Sequence, residues 1–448
     1  MNKSYRELKK IFHEASIAAD IQGILHWDMA TVMPSMTRKQ RSNQLAFMSK
    51  LKHEMLSSKK IGDLINETNE DNLATKDKIN FYEMKREYFL ASSLPRDLIE
   101  AFTKVSAKCE GKWQEARNEC NFSIVEKSLD NLIKLTIEES DILSEKLECS
   151  KYESLIQKYE PFAKLDEISD VFKDLKLFLL NSLDFIIEKQ KKDNFKKINN
   201  LISVKTQEDI AKSLMKIVGF DFSRGRLDKS AHPFCGGATE DIRITTRYSV
   251  ENPFSSLEGV MHETGHAMYE LGLPKEWHHQ PVGRSRGMAM HESQSLLIEM
   301  QITRSKAFKS FLSNFLNKSY NLNGSEWSSE NLYTLGTRVN KTYIRVEADE
   351  VTYPLHIILR FNLEKSLIDK SLKTKDIPEA WNEEFKKLFG IKVNGDANGC
   401  LQDIHWYAGL IGYFPTYSLG ALSSAQFASS LRKDLPKLDK NIEQGNFK

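Results

Sequence analysis

The 448 residues contain no run of about 18 apolar side chains, so nothing in the chain reads as a membrane-spanning helix. Cysteine is scarce. Cys109, Cys120, Cys149, Cys235 and Cys400 are scattered and odd in number, and they include no Cys-x-x-Cys pair. That excludes a zinc knuckle or a dithiol redox centre and fits a reducing compartment. Cys235, three residues after His232, reads as a small, partly buried thiol rather than a nucleophile, because a thiol's catalytic partners are set by the fold and not by this spacing. An excess of either charge is also missing: 64 Lys+Arg against 62 Asp+Glu leave a net +2. Nucleic acid is therefore not an obligatory partner, since phosphate binding normally leaves a basic excess or a dense basic patch, and neither a membrane surface nor an acidic partner is required. The start, Met1 to Lys10, is too charged for a secretory h-region, which makes the cytoplasm the expected compartment.

What is present is the composition of an ordinary globular protein, 40% hydrophobic and 28% charged, large enough for up to three domains or one enzyme body. From Lys3 to about Ser150 apolar residues recur at three- and four-residue spacing with few glycines, which predicts a succession of helices punctuated by Pro34 and Pro95. Leu165 to Glu188 continues the pattern, with Val171, Phe172, Leu175, Phe178 and Leu179 as the expected core stripe. The charged run from Lys189 to Lys197, ending at Asn199-Asn200, marks the boundary between an N-terminal helical half (1–200), expected to wall or lid a groove, and a catalytic half (201–448) of one continuous enzyme body. Beyond Phe220 the texture changes: eight of the eleven histidines lie between His232 and His405. Asp241 to Tyr248 alternates polar and apolar residues with period two and predicts a short strand.

The decisive motif is His262-Glu263-Thr264-Gly265-His266. On a helix the two histidines, four residues apart, project from one face and can reach one metal ion, with Glu263 placed to take a proton from a water. The flanks agree with a helix. Ser255-x-x-Glu258 reads as a capping box, Leu257, Val260, Met261, Ala267, Met268 and Leu271 as the buried face, and Gly272 with Pro274 as the stop. A third histidine in the extended form of the motif is excluded, because Tyr269 and Gly272 stand where Gly and His are required. A glutamate from the chain that follows then completes a His₂Glu site. Glu270, Glu276, Glu292 and Glu299 are available, and Glu292 is the choice, on a second helical segment from Met288 to Gln301 reached by a loop containing Pro281 and Gly283.

Several ordered motifs go with it: His232-Pro-Phe; Asp241-Ile-Arg243-Ile-Thr245; His291-Glu292-Ser-Gln294; Ile344-Arg345-Val-Glu-Ala348-Asp349; and Gly399-Cys-Leu-Gln402-Asp403-Ile-His405-Trp406. With Trp27-Asp28 and Met33-Pro34 they extend over nearly the whole chain. In these motifs the sequence resembles the M32 metallocarboxypeptidases, the thermostable carboxypeptidase Taq family. The resemblance implies a mainly α, zincin-like fold with a deep substrate groove and a small antiparallel sheet near the metal. It also implies Glu292 as the third ligand, zinc as the usual ion with cobalt or manganese as alternatives, a homodimer, and release of single residues from the C-termini of peptides.

An exopeptidase must grip a free carboxylate, for which an arginine fork is suited. Arg345 and Arg243 are the candidates, Arg345 favoured by the resemblance and Arg243 as a brace of the groove. Oxyanion donors are sought among Tyr353, His356, His405, Tyr413 and Tyr417, with His405 and Tyr417 preferred, while His232 is a candidate substrate contact. The strand bearing Arg243 is a candidate for pairing with an extended peptide. His278-His279 reads as a solvent-exposed loop pair, and His13, His26 and His53 as structural. Two other readings remain: an oligopeptidase or endopeptidase with the same chemistry, and a catalytically silent helical binding protein that keeps a metal.

Overall fold

A computed structural model describes residues 3–198, 202–230 and 233–447. Among these the chain is a succession of α-helices interrupted once, between residues 225 and 246, by three short strands. His232 and the Asn199-Asn200 end of the expected boundary lie outside the described residues. No helix among the described residues is long and apolar enough to cross a membrane.

The three strands are β1 (Gly225–Lys229), β2 (Phe234–Ala238) and β3 (Asp241–Thr246), in the order β1-β3-β2. The alternation that predicted β3 is visible in its burial, with Ile242 and Ile244 inward. The sheet is mixed rather than antiparallel: β2 pairs antiparallel with β3, but β1 pairs parallel, Leu227 opposite Ile244. A parallel pair needs a crossover, and here β2 lies within the connection from β1 to β3. β3 is thus the central strand, hydrogen-bonded on both sides, so the expected peptide pairing on the Arg243 strand is ruled out.

The largest apolar core joins residues from both sides of the expected boundary: Trp113, Leu129, Leu155 and Phe172 pack with Leu359, Trp381, Trp406 and Phe414. The stripe on the helix Leu165–Gln190 is only partly core. Phe172 and Leu179 are buried, whereas Val171 and Phe178 are 40% and 65% exposed, because the helix presents one side to the core and the pattern spans more than that side.

The first helix, Lys3–Ala30, lies against the sheet. Asp20 accepts from the backbone N–H and the hydroxyl of Thr239, both at 3.2 Å, and the Trp27 ring lies under two guanidiniums, Arg243 at 4.2 Å and Arg226 at 4.8 Å. The pair His278-His279 is not free in solvent. His279 packs its ring 4.7 Å from that of His13 on the first helix, with Asp20 3.6 Å from its Nδ1.

Candidate metal centre

The motif helix runs from Pro253 to Gly272, ending at the expected stop. Its start differs from the expected capping box. Asn252 is the N-cap, its side chain accepting from the Ser255 N–H, and Pro253 occupies the first turn, where a missing N–H costs nothing. Val260, Met261 and Ala267 are buried, so the apolar face is anchored while the histidines turn toward the next helix, Met288–Leu296. Gly265 makes that approach possible: a methyl group there would fall 2.6 Å from the Ser295 Cα and 2.7 Å from the Gln294 carbonyl oxygen. On the other side Gly420, in the helix Pro415–Asp434, leaves room for Glu292, whose Cβ would lie 2.8 Å from an added methyl. The Glu292 helix is held between two glycines.

His262, His266 and Glu292 each offer one ligand atom, and the three lie within 4.8 Å of one another. Glu292 Oε2 is 3.5 Å from His266 Nε2 and 4.0 Å from His262 Nε2. The other ring nitrogens are tied down. His262 Nδ1 is 2.8 Å from Glu299 Oε2 and His266 Nδ1 is 3.1 Å from the His291 carbonyl oxygen. Those oxygens only accept, so both Nδ1 atoms carry a proton, and each Nε2 faces Glu292 as the ring's remaining donor atom. Two imidazoles locked in this tautomer beside a buried carboxylate are a donor set that fits a divalent cation. Glu160 fixes the start of the Glu292 helix, accepting from the Ala289 N–H at 2.9 Å, and His291 is held by Glu270 at 2.7 Å.

The electrostatics follow from burial among carboxylates. Burial works against charge on His262, but Glu299 and Glu292 outweigh it and raise its pKa to about 10. On His266 burial wins and lowers the pKa to about 4. Burial also favours a neutral Glu292, yet His266 and His262 hold its carboxyl below the usual range. Glu263 is 7% exposed, and burial pushes it up to about 7, into the range where a carboxylate works as a base near neutral pH.

The other expected residues separate into distinct groups. Arg345 is buried, its Nε and Nη2 donating to Asp403 Oδ1 at 3.1 and 2.9 Å, its backbone N–H donating to Gln402 at 2.8 Å, and the Tyr417 ring lying 4.8 Å from the guanidinium. His405 Nε2 is 3.1 Å from the Tyr417 hydroxyl, and its Nδ1 is buried without a partner; burial lowers its pKa to about 3. Tyr353, Tyr413 and Tyr417 all lie within electrostatic range of Glu292, and Arg345 and His405 pack against Tyr417. His356 is instead fully buried against Phe389, with ring centroids 4.6 Å apart. Arg243 is paired with Asp241 and sits on Trp27, where it joins the sheet to the first helix. Cys235 lies partly buried on β2 within range of Glu263, its thiol pushed well up by desolvation, which keeps it neutral and unreactive.

Comparison with known proteins decides the family. The model of the carboxypeptidase Taq (M32) metallopeptidases matches residues 7–448. The chain belongs to the M32 carboxypeptidase family. Among M32 relatives it is 31% identical to thermostable carboxypeptidase 1 of Thermus thermophilus, over 99% of this chain and 89% of that one. It is also 31% identical to thermostable carboxypeptidase 1 of Pyrococcus furiosus, over 100% and 90%. The solved structure of Trypanosoma cruzi metallocarboxypeptidase 1 superposes with a TM-score of 0.96 at 36% identity, over 99% of this chain and 90% of that one. Membership makes the chain a metallocarboxypeptidase, a peptide hydrolase of mainly helical fold.

Two residues have roles at the site that the sequence reading did not assign. Glu299, weighed as a ligand, is the carboxylate behind His262; its seven-residue spacing from Glu292 puts both on one side of the segment. Asp403, two residues before His405, is the partner of Arg345, which no spacing announces.

Proposed function

We propose that this M32 carboxypeptidase is a zinc enzyme that releases single residues from the C-termini of peptides, with Glu263 as general base. The observation that carries the reading is the convergence of His262 Nε2, His266 Nε2 and Glu292 Oε2 beside a buried Glu263 whose pKa is raised to about 7. Zinc, bound by those three atoms, would supply the Lewis acidity that activates a water and polarises the scissile carbonyl, and cobalt or manganese are alternatives with the same ligands. Glu263 takes the proton from the attacking water and returns it to the leaving amine. Arg345, kept in place by Asp403, captures the substrate's terminal carboxylate, and Arg243 braces the sheet that borders the site. His405, neutral and with a spare Nδ1, and Tyr417 beside it serve as donors to the substrate carbonyl.

The N-terminal residues 1–200 act as wall and lid over the catalytic residues 201–448. A cavity of about 400 Å³ between the helix Thr75–Ser93 and the segment Pro281–Arg286 supports this division. We further propose a homodimer in the cytoplasm: likeness to the family supports the dimer, and five free cysteines support the reducing compartment. Sedimentation at micromolar concentration tests the dimer.

Product analysis with an unstructured peptide tests the activity. Single C-terminal amino acids are expected, and internal fragments would indicate an endopeptidase. Amidating the C-terminus should lower kcat/KM by roughly 10- to 100-fold, the worth of charge-assisted hydrogen bonds to Arg345. Equal cleavage of acid and amide, or none without and with metal, defeats the reading.

A further inference from the structure

We propose that Arg304 is a positioning residue of the metal centre, acting through Glu299 on the ligand His262, and that the π-helical turn Leu297–Thr303 brings Arg304 and Glu299 into register. The inference rests on the metal-site reading above. The contacts form a continuous line: Arg304 Nη2 donates to Glu299 Oε1 at 2.9 Å, and Glu299 Oε2 accepts from His262 Nδ1 at 2.8 Å. All of it is covered, the Arg304 side chain being 10% exposed and that of Glu299 16%.

The backbone explains why these two residues meet. Glu299 and Arg304 are five residues apart, which on an α-helix puts them roughly 140° apart around the axis, unable to face each other. The segment Leu297–Thr303 is instead a π-helix, closed by i→i+5 bonds, and its wider turn brings a residue's fifth neighbour back toward its own side. Arg304 caps this turn. The same guanidinium lies within electrostatic range of Glu258, four residues before His262 on the motif helix, so its charge ties the π turn to the helix that carries both histidines.

The physical need is plain. Glu299 and Glu292 both face the His262 imidazole, and Glu258 lies within electrostatic range of Glu299 and Arg304, with the buried Lys309 3.9 Å from it. Arg304 is the permanent cation in contact with Glu299. Without it Glu299 loses the contact that holds its side chain in place and is free to turn away, which removes the acceptor that fixes the His262 ring plane. A ligand free to rotate binds its ion less tightly.

The test measures zinc affinity by competition with a chromophoric chelator, together with the melting temperature of the metal-free protein, in wild type, E299Q, R304M, R304K and the E299Q/R304M double variant. R304M and E299Q are each expected to weaken zinc binding by about 10- to 100-fold, the double variant to be no weaker than E299Q alone, and R304K to fall between R304M and wild type. Zinc bound by R304M at wild-type strength, or losses that multiply in the double variant, overturn the proposal; a drop in melting temperature alone would make Arg304 an ordinary structural ion pair. Should R304M not fold, R304K decides: weaker zinc binding at an unchanged melting temperature supports the assignment, and wild-type binding overturns it. The metal-site reading fails separately, if wild type binds no zinc or if E292A binds it undiminished.

Discussion

The Asp403 carboxylate accepts from Nε and Nη2 of Arg345 at 3.1 and 2.9 Å, and its other oxygen accepts from Nε of Arg360 at 2.7 Å. Burial would favour a neutral carboxyl, but the two guanidiniums hold Asp403 far below the usual range. Its folded pKa is depressed, so its stabilisation is present above the ordinary carboxylate pKa of about 4 and is lost as pH falls from there. D403N leaves two buried arginines uncompensated and should cost about 3–5 kcal/mol. Denaturant melts from pH 3 to 7 check this: the wild type should lose stability below about pH 4, and the variant should be weaker above it with a flatter acid slope.

Glu263 gives the second prediction. E263Q keeps the hydrogen-bonding shape but cannot accept a proton, so kcat should fall about 10²- to 10⁴-fold while zinc affinity and melting temperature stay close to wild type. Steady-state kinetics and metal titration on one preparation decide it.

The same residue sets a pH dependence. Burial raises Glu263 to about 7, and a base works only when ionised, so activity must rise with pH through its titration. A cation beside it favours the ionised form, which places the acid limb of kcat/KM between the ordinary carboxylate value, about 4.3, and 7. A flat profile over that interval would remove Glu263 from the base role.

Packing supplies a fourth. G265A sets a methyl against the backbone of Gln294 and Ser295, which cannot move aside as a side chain end would. The expected cost is about 1–3 kcal/mol, with weaker zinc binding because the two ligand-bearing helices are pushed apart. G420A presses on the Glu292 side chain and should weaken zinc binding at a smaller loss of melting temperature.

Removal of the ion is the fifth. Chelation should abolish hydrolysis and restoring zinc should recover it. At free zinc 100-fold above its Kd the folded state should gain about 2.7 kcal/mol, read as a rise in melting temperature.

How far the sequence alone could reach is seen residue by residue. His262 and His266 were legible because helical spacing is a local property, Glu292 was chosen among four glutamates for its place on the following helical segment, and the structure brings the three together. β3 was legible through its alternation; β1, Gly-Arg-Leu-Asp-Lys, and β2, Phe-Cys-Gly-Gly-Ala, carry no such pattern, so the parallel pairing stayed hidden. The helix start was misplaced because a serine three residues before a glutamate imitates a cap, while Asn252-Pro253 is the stronger stop-and-start signal. The π turn has no compositional mark. The burial of Arg360 and Glu364 depends on partners such as Asp403, Tyr152 and Trp406, up to 212 residues away, beyond any periodicity.

Trp27 lies between Arg226 and Arg243 on the sheet. Any outward swing of the first helix must peel an indole off two cations at once, so that helix and the sheet behave as one piece.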